Sequence, residues 1–539
     1  MALDRKVGSF NTGTGTSDIV VSGLGFSPEA IIFWWNGRTE TTDAEGGLTH
    51  HRGFGFAVSA TDRRAMVNRS SNDRAAGALT YRYMSNVAVI AHVDSNGTLD
   101  GAVDVASMDS DGFTLAIDDA FPADMRVHYL ALGGADLTNA KGGAFLTPTS
   151  TGDFDVTDVG FQPDAVLLMS IYINSTTVGD SGDSEISFGA GVSGGAEAVW
   201  AAVSENANQP TDTYGYCRAG EILADIDVTN GDIDLIASYV QSLSNGFRLN
   251  FSKAPGAAQS GVFYLALKGG RYAIGDLLTR TDTNNIAETG LGVGTPRAIL
   301  FLSQCKAQST TDVADAGDEW SMGAATSTTE RAAMSVLDQD AVNTTNVGGG
   351  VSHDEVYQNL STADPPAMEG EMDMVSFDTD GFTAVMDDTD PSAAFVWYLA
   401  IGNASGGTIG RFASESVDAS DAVIVAKSPT TLRFLSEAID AADFIVRARI
   451  PTALGSVLGS GRLGRMRLGH GDVAPSVPIR RQSETIDASD TVVVAKVVAQ
   501  ALIRYVSETI DAGDLTRREF AFNARPSKSA AVVHIIIGE

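Results

Sequence analysis

The sequence predicts an all-β protein: three tandem antiparallel β-sandwich domains of jelly-roll type, followed by a C-terminal module of duplicated β-hairpins. Three observations carry this. A set of short motifs recurs over the first 410 residues, most of them every 134 or 135 residues. The segments that follow these motifs are short β-branched and aromatic runs without helical periodicity. A different and shorter repeat takes over after Gly410. The implied boundaries are 1–136, 137–271 and 272–408 for the three copies and 409–539 for the C-terminal module.

The first motif is Gly25-Phe26-Ser27-Pro28-Glu29-Ala30, leading into Ile31-Ile32-Phe33-Trp34-Trp35. It is answered by Gly160-Phe161-Gln162-Pro163-Asp164-Ala165 and, more weakly, by the stretch from Gly292 to Pro296 and Ala298. Each proline precedes a hydrophobic run, where it costs no ladder hydrogen bond. The second motif is Asp111-Gly112-Phe113, Asn245-Gly246-Phe247 and Asp380-Gly381-Phe382; an Asx-Gly step favours the positive φ of a hairpin turn. The third is Tyr129-Leu130-Ala131-Leu132, Tyr264-Leu265-Ala266-Leu267 and Tyr398-Leu399-Ala400-Ile401, whose small Ala between larger apolar residues suits a packed central strand. Gly55, Gly189 and Gly323 keep the same spacing. Each copy is long enough to be an independent domain, and three copies in one chain suggest a pseudo-threefold ring.

The formal charge of −32 argues against general nucleic-acid binding, which needs lysine and arginine to displace phosphate counterions. Acidity is concentrated in residues 1–410, with 53 Asp and Glu against 20 Lys and Arg, whereas 411–539 hold 15 against 16. Cys217 and Cys305 are the only cysteines, too few for a disulfide framework, and read as buried small hydrophobes. No apolar run approaches the length of a membrane helix, so no membrane insertion is expected, and no export signal is recognisable.

The C-terminal repeat is Ser414-Glu415-Ser416-Val417-Asp418-Ala419-Ser420-Asp421, with copies beginning at Ser436, Ser483 and Ser507. Asp-Ala-x-Asp reads as a turn feeding a strand, its carboxylates free to cap backbone N–H groups; calcium in these turns is the alternative. Between the two pairs lies a glycine-rich segment with Arg462, Arg465 and Arg467, which reads as an ordinary linker, with a basic strand docking on an acidic neighbour as the alternative.

Candidate chemistry is sparse. Asp118-Asp119 and Asp387-Asp388 occupy equivalent places, but the second copy has Asn250-Phe251 there, so a solvated turn is expected rather than paired catalytic carboxylates. His50-His51 read as an exposed polar loop near Asp43 and Glu45, with a metal site as the alternative. Trp34-Trp35 carry two readings: both covered by loops or by a neighbouring subunit, or, since strand alternation would place one indole outside, a binding surface able to stack on a sugar or anchor a partner. The variable stretch 36–53 is where a ligand site would be grafted. No catalytic residue, cofactor or metal is expected, and the chain reads as non-enzymatic.

The Gly-Phe-x-Pro-[Glu/Asp]-Ala strand, with its closing Tyr-Leu-Ala-Leu strand, resembles the repeated β-domains of tailed-phage virion proteins of the tail-fibre, baseplate and minor tail type. The resemblance covers residues 1–410 and carries scaffold motifs only. It implies a virion location, assembly and surface display, other virion proteins as partners, and a homo-oligomer of threefold or sixfold arrangement. Capsid decoration, or recognition of a host-surface glycan, is the alternative.

Overall fold

In a computed structural model the described residues are 3–404, apart from residue 257, and five short strands beyond them. The chain divides into two units, Met1–Ala404 and Ser405–Glu539. Every regular element among the described residues is a β-strand, as the β-branched and aromatic runs require. The first repeat has eleven: β1 (Asp4–Asn11), β2 (Ile19–Ser22), β3 (Pro28–Trp35), β4 (Ala44–Gly47), β5 (His50–Ala57), β6 (Arg63–Ser70), β7 (Thr80–Ser85), β8 (Ile90–Val93), β9 (Leu99–Asp109), β10 (Gly112–Asp119) and β11 (Arg126–Gly133). The second and third repeats carry eleven each, over residues 139–268 and 271–402.

Each repeat builds a large antiparallel sheet in the order β1-β11-β3-β5-β6-β7 and a small one in the order β2-β10-β9-β8. The tyrosine motif lies on β11, between β1 and β3, the central position its composition suggests. The seventh strand of each large sheet comes from a different repeat. Gly179–Gly182 of the second repeat pairs with β7 of the first, and Asp315–Ala316 of the third pairs with Thr213–Ala219 of the second. The cycle closes when β4 of the first repeat pairs with Val347–Ser352 of the third, Gly47 facing Gly348. The three copies therefore form a closed ring within one chain.

Packing follows from this cycle. The outer face of each large sheet lies on its own small sheet; in the third repeat Ile299, Phe301 and Tyr398 meet Met374 and Phe382. The inner faces meet one another, so that Trp34, Phe54, Leu167, Phe188, Trp200, Leu300, Trp320 and Met322 share one core. Independent domains were the expectation; instead the copies share sheets and a core, because each large sheet is apolar on both faces.

The motifs explain their own spacing. Gly25, Gly160 and Gly292 have φ of 82°, 84° and 74°, which favours glycine. The Asp111 carboxylate accepts from the Gly25 N–H at 2.6 Å and from the Gly23 N–H at 3.2 Å, and Asp380 accepts from the Gly294 N–H at 3.1 Å. The first and second motifs are thus hydrogen-bonded to each other. The glycine of the second motif is not the centre of the turn as expected: Gly112 pairs with Asp109, and a Cβ there would lie 1.9 Å from the Val21 carbonyl oxygen. Close backbone approach is what demands glycine.

A further signature recurs on the edge strand. Gly8, Gly143 and Gly275 sit opposite Tyr129, Tyr264 and Tyr398, and each ring covers its glycine so closely that a Cβ would fall 2.1–2.4 Å from it. Gly143→Val should displace the Tyr264 ring and its hydrogen bond to Asp158, lowering stability by about 1–3 kcal/mol in equilibrium denaturant unfolding.

In the second unit, Val423–Ala426 and Ile445–Ala448, which follow the first two Asp-Ala-x-Asp copies, pair in parallel. A parallel pair cannot be a tight hairpin. Lys496–Val498 and Leu502–Val506 are antiparallel neighbours.

Candidate functional site on the ring axis

The strands that line the shared core carry polar residues at one end. His50 on β5, Ser184 and Asp318 occupy equivalent positions, and they sit opposite Ser70, Ser204 and Asp338 in strand register. Thr80 and Thr213 face Ser70 and Ser204 in turn. All eight side chains have no solvent exposure. One step further along the same strands come Arg52, Ile186 and Trp320; after them Phe54, Phe188 and Met322. The interior therefore grades from a polar layer to an aromatic one, where Phe54 stacks on Phe188 at 4.8 Å and meets Trp320 edge-on at 5.5 Å.

Arg52 joins the three repeats. From the first, its Nη2 lies 2.7 Å from Asp318 Oδ2 of the third, while its guanidinium sits 5.0 Å above the Trp200 ring of the second. Both members of the ion pair are fully buried, so each depends on the other for its charge. Just beyond the polar layer, the loops following β6 and its equivalents close the axis. Gln209 donates through Nε2 to the carbonyls of Ala75 at 2.7 Å and Asn343 at 2.8 Å, and these three positions are also 134 residues apart.

Several atoms of the polar layer lack hydrogen-bond partners among the described residues, namely both ring nitrogens of His50 and the hydroxyls of Thr80 and Ser184, whereas the hydroxyls of Ser70 and Ser204 face the Asp338 carboxyl. Burial pushes the Asp338 carboxyl up to about 7. Hydrogen bonds from the Ser70 and Ser204 hydroxyls and the charge of Arg52 oppose this shift, and the Asp318 carboxylate adds to it. With an ordinary value of 3.8 in the unfolded chain, folding binds more protons between these limits, so stability falls as pH rises from about 4 to 7. Asp338→Asn should remove that fall: the variant and parent should match near pH 4. The variant should exceed the parent by about 4 kcal/mol at pH 8, as read by denaturant unfolding.

The structure relocates most of the sequence-predicted site residues. Trp34 and Trp35 are both wholly buried, so of the two readings the covered one holds and no indole is left outside to stack on a ligand. β3 is central in a sheet covered on both faces: Trp34 joins the inner core, and Trp35 covers Gly53. His50 and His51 are not in an exposed loop but begin β5, both buried. His50 faces the axis; His51 Nε2 lies 2.8 Å from the Val93 carbonyl, and its ring stacks on His92 at 3.8 Å. Burial holds both imidazoles well below their usual pKa, reinforced by Arg52 beside His50 and by His92 beside His51. Asp43 pairs with His353 instead. Asp118, Asp119, Asp387 and Asp388 are exposed strand ends.

The variable stretch 36–53 serves as a clasp rather than a ligand loop: Asn36 donates to the carbonyls of Ser335 and Gly350, and Arg38 to that of Gly349, across to the third repeat. Cys217 and Cys305 are buried free thiols, with pKa values raised by burial. Arg462, Arg465 and Arg467, and the Asp-Ala-x-Asp turns proposed for calcium, lie outside the described residues.

Arg52, Ser70, Ser204, Asp318 and Asp338 were missed. Their signal was available: in period 134 Arg52 and Asp318 share the alternation of Phe54 and Met322, and Ser70, Ser204 and Asp338 that of Met66, Trp200 and Met334, which marks polar residues at inward-facing positions. No family model matches the sequence, and no curated protein matches it either.

Proposed function

We propose that the chain is a non-enzymatic structural component of a tailed-phage particle, serving assembly and surface display at the tail or baseplate. The observation that supports this best is the cyclic strand exchange. It commits both faces of every large sheet to the interior, leaving loops and the outer faces of the small sheets to meet partners. One chain thereby presents three related outer surfaces about an axis, a match for a particle with threefold or sixfold symmetry. The resemblance of the Gly-Phe-x-Pro and Tyr-Leu-Ala-Leu strands to phage tail repeats agrees with it. The glycan-binding alternative loses the stacking indole on which it rested. Cryo-electron microscopy of purified particles tests the proposal: a three-part ring at the tail is the expected density. A ring on the head would replace it with capsid decoration, and particles lacking the chain would overturn it.

A further inference from the structure

We infer that Glu355 and Asp43, at the seam between the third and first repeats, bind the guanidinium of an arginine on a partner protein. The seam between the second and third repeats supplies its own. There Glu221 and Asp312, one from each repeat, share Nη1 of Arg218 at 3.1 and 2.9 Å. The Tyr216 hydroxyl donates to Glu221 Oε2 at 2.9 Å and accepts from Arg218 Nη1 at 3.1 Å. Strand register carries each of these places to the third repeat. Trp200 faces Cys217, and its equivalent Met334 faces Val351, so Arg218 corresponds to Ser352, Tyr216 to Gly350 and Glu221 to Glu355. On the exchanged strands Asp315 faces Gly215 and Gly46 faces Gly349, so Asp312 corresponds to Asp43. Both carboxylates are kept, and both groups that satisfied the glutamate are gone.

Glu355 is only 7% exposed, and its Oε2 is buried without a hydrogen-bond partner among the described residues. Its surroundings are anionic: burial, then the carboxylates of Asp373, Glu371, Asp387 and Asp354, push its carboxyl up to about 9. Cations nearby are committed elsewhere. Arg331 pairs with Asp373 at 2.8 Å, and burial and Arg126 disfavour the charged form of His353, whose N–H donates to Asp43. Chemistry selects the ligand. A guanidinium is planar and can span two carboxylates, as Arg218 does, whereas no group of three acidic, histidine or cysteine side chains suited to a metal occurs among the described residues. Asp43, Asp354 and Asp387 are exposed, so the arginine arrives from outside, drawn by the acidity of residues 1–410. The site belongs to the ring and needs no particle; a virion lacking the chain would leave it standing.

Calorimetric titration of the full chain with acetyl-arginine amide at pH 7, 8 and 9 tests this. One molecule should bind per chain. Because the cation needs the ionised form of Glu355, which is protonated below its raised pKa, affinity should climb about tenfold per unit as pH rises towards 9. Acetyl-citrulline amide, the neutral isostere, should not bind. Free arginine, whose α-carboxylate the surrounding acids repel, should bind more weakly than the amide. Glu355→Gln should abolish binding and keep the fold, since the amide resembles the protonated carboxyl present at pH 7; Asp43→Asn should weaken it. Arg218→Ser gives the second repeat the serine of the third and should create a second site per chain. No binding at pH 9, binding that survives Glu355→Gln, equal binding of the citrulline probe, or a folded Arg218→Ser chain with a single site would each overturn the inference. Tighter binding of free arginine would make this a metabolite site and remove the partner protein.

Discussion

Arg52→Ile is expected to destabilise the ring by about 3–5 kcal/mol, the penalty for leaving a buried charge without its partner. Isoleucine is what the second repeat carries at that position, Ile186, so the backbone and the strand pairing accept it. The loss falls on Asp318, which is fully buried and whose carboxyl is already raised by burial against the pull of Arg52. Without the guanidinium it rises further, and the protonated form becomes the tolerable one. Since the unfolded carboxyl titrates near 3.8, the variant should be damaged least near pH 4 and most at pH 8. The double variant Arg52→Ile/Asp318→Ser, which copies Ile186 and Ser184 of the second repeat, should recover most of the loss and its pH dependence. Denaturant unfolding at the two pH values decides this. A double variant as weak at pH 8 as the single one would mean that the stacking of Arg52 on Trp200, and not the ion pair, holds the repeats together.

The repeat was readable because its landmarks are backbone requirements. Gly25 must adopt positive φ, Gly112 must let the Val21 carbonyl approach, and Gly8 must lie under Tyr129; few other residues substitute, so the period survives in the sequence. The β-class was readable for a related reason, since strands such as Ala165–Ser170 are continuous apolar runs. That same continuity hid the architecture. Alternation marks an inside and an outside only when one face meets water, and here both faces of each large sheet are covered, so Trp34 and Trp35 could not be assigned.

The exchange itself left almost no trace. The exchanged strands are Ala44-Glu45-Gly46-Gly47, Gly179-Asp180-Ser181-Gly182 and Asp315-Ala316, which read as loops. They are held by main-chain pairing rather than by apolar side chains. His50-His51 failed for the same reason: polarity suggested solvent, whereas the ring turned one histidine to the axis and packed the other against His92.

Residues 1–136 expressed alone should not yield a folded monomer. In the ring the inner face of this repeat, including Ile32, Trp34, Phe54, Met66, Met84, Leu130 and Leu132, is buried in the shared core. Each such side chain is worth about 1.5–3 kcal/mol when removed from water, and together they are as large as the about 5–15 kcal/mol by which a typical domain is stable. The isolated repeat would expose them as one contiguous patch of the kind that drives association. It would also leave β7 as an open edge without Gly179–Gly182, and β4 without the Val347–Ser352 strand it completes. Aggregation is the expected result, or self-association into a trimer in which each β4 pairs with a neighbouring copy. Residues 1–404, by contrast, should unfold in one cooperative transition, because no repeat can leave the cycle without opening two sheets. Sedimentation and near-ultraviolet circular dichroism distinguish these states. A soluble monomer of residues 1–136 with fixed aromatic signals would show that the fold of each copy precedes the ring, and that the shared core contributes contact without being required.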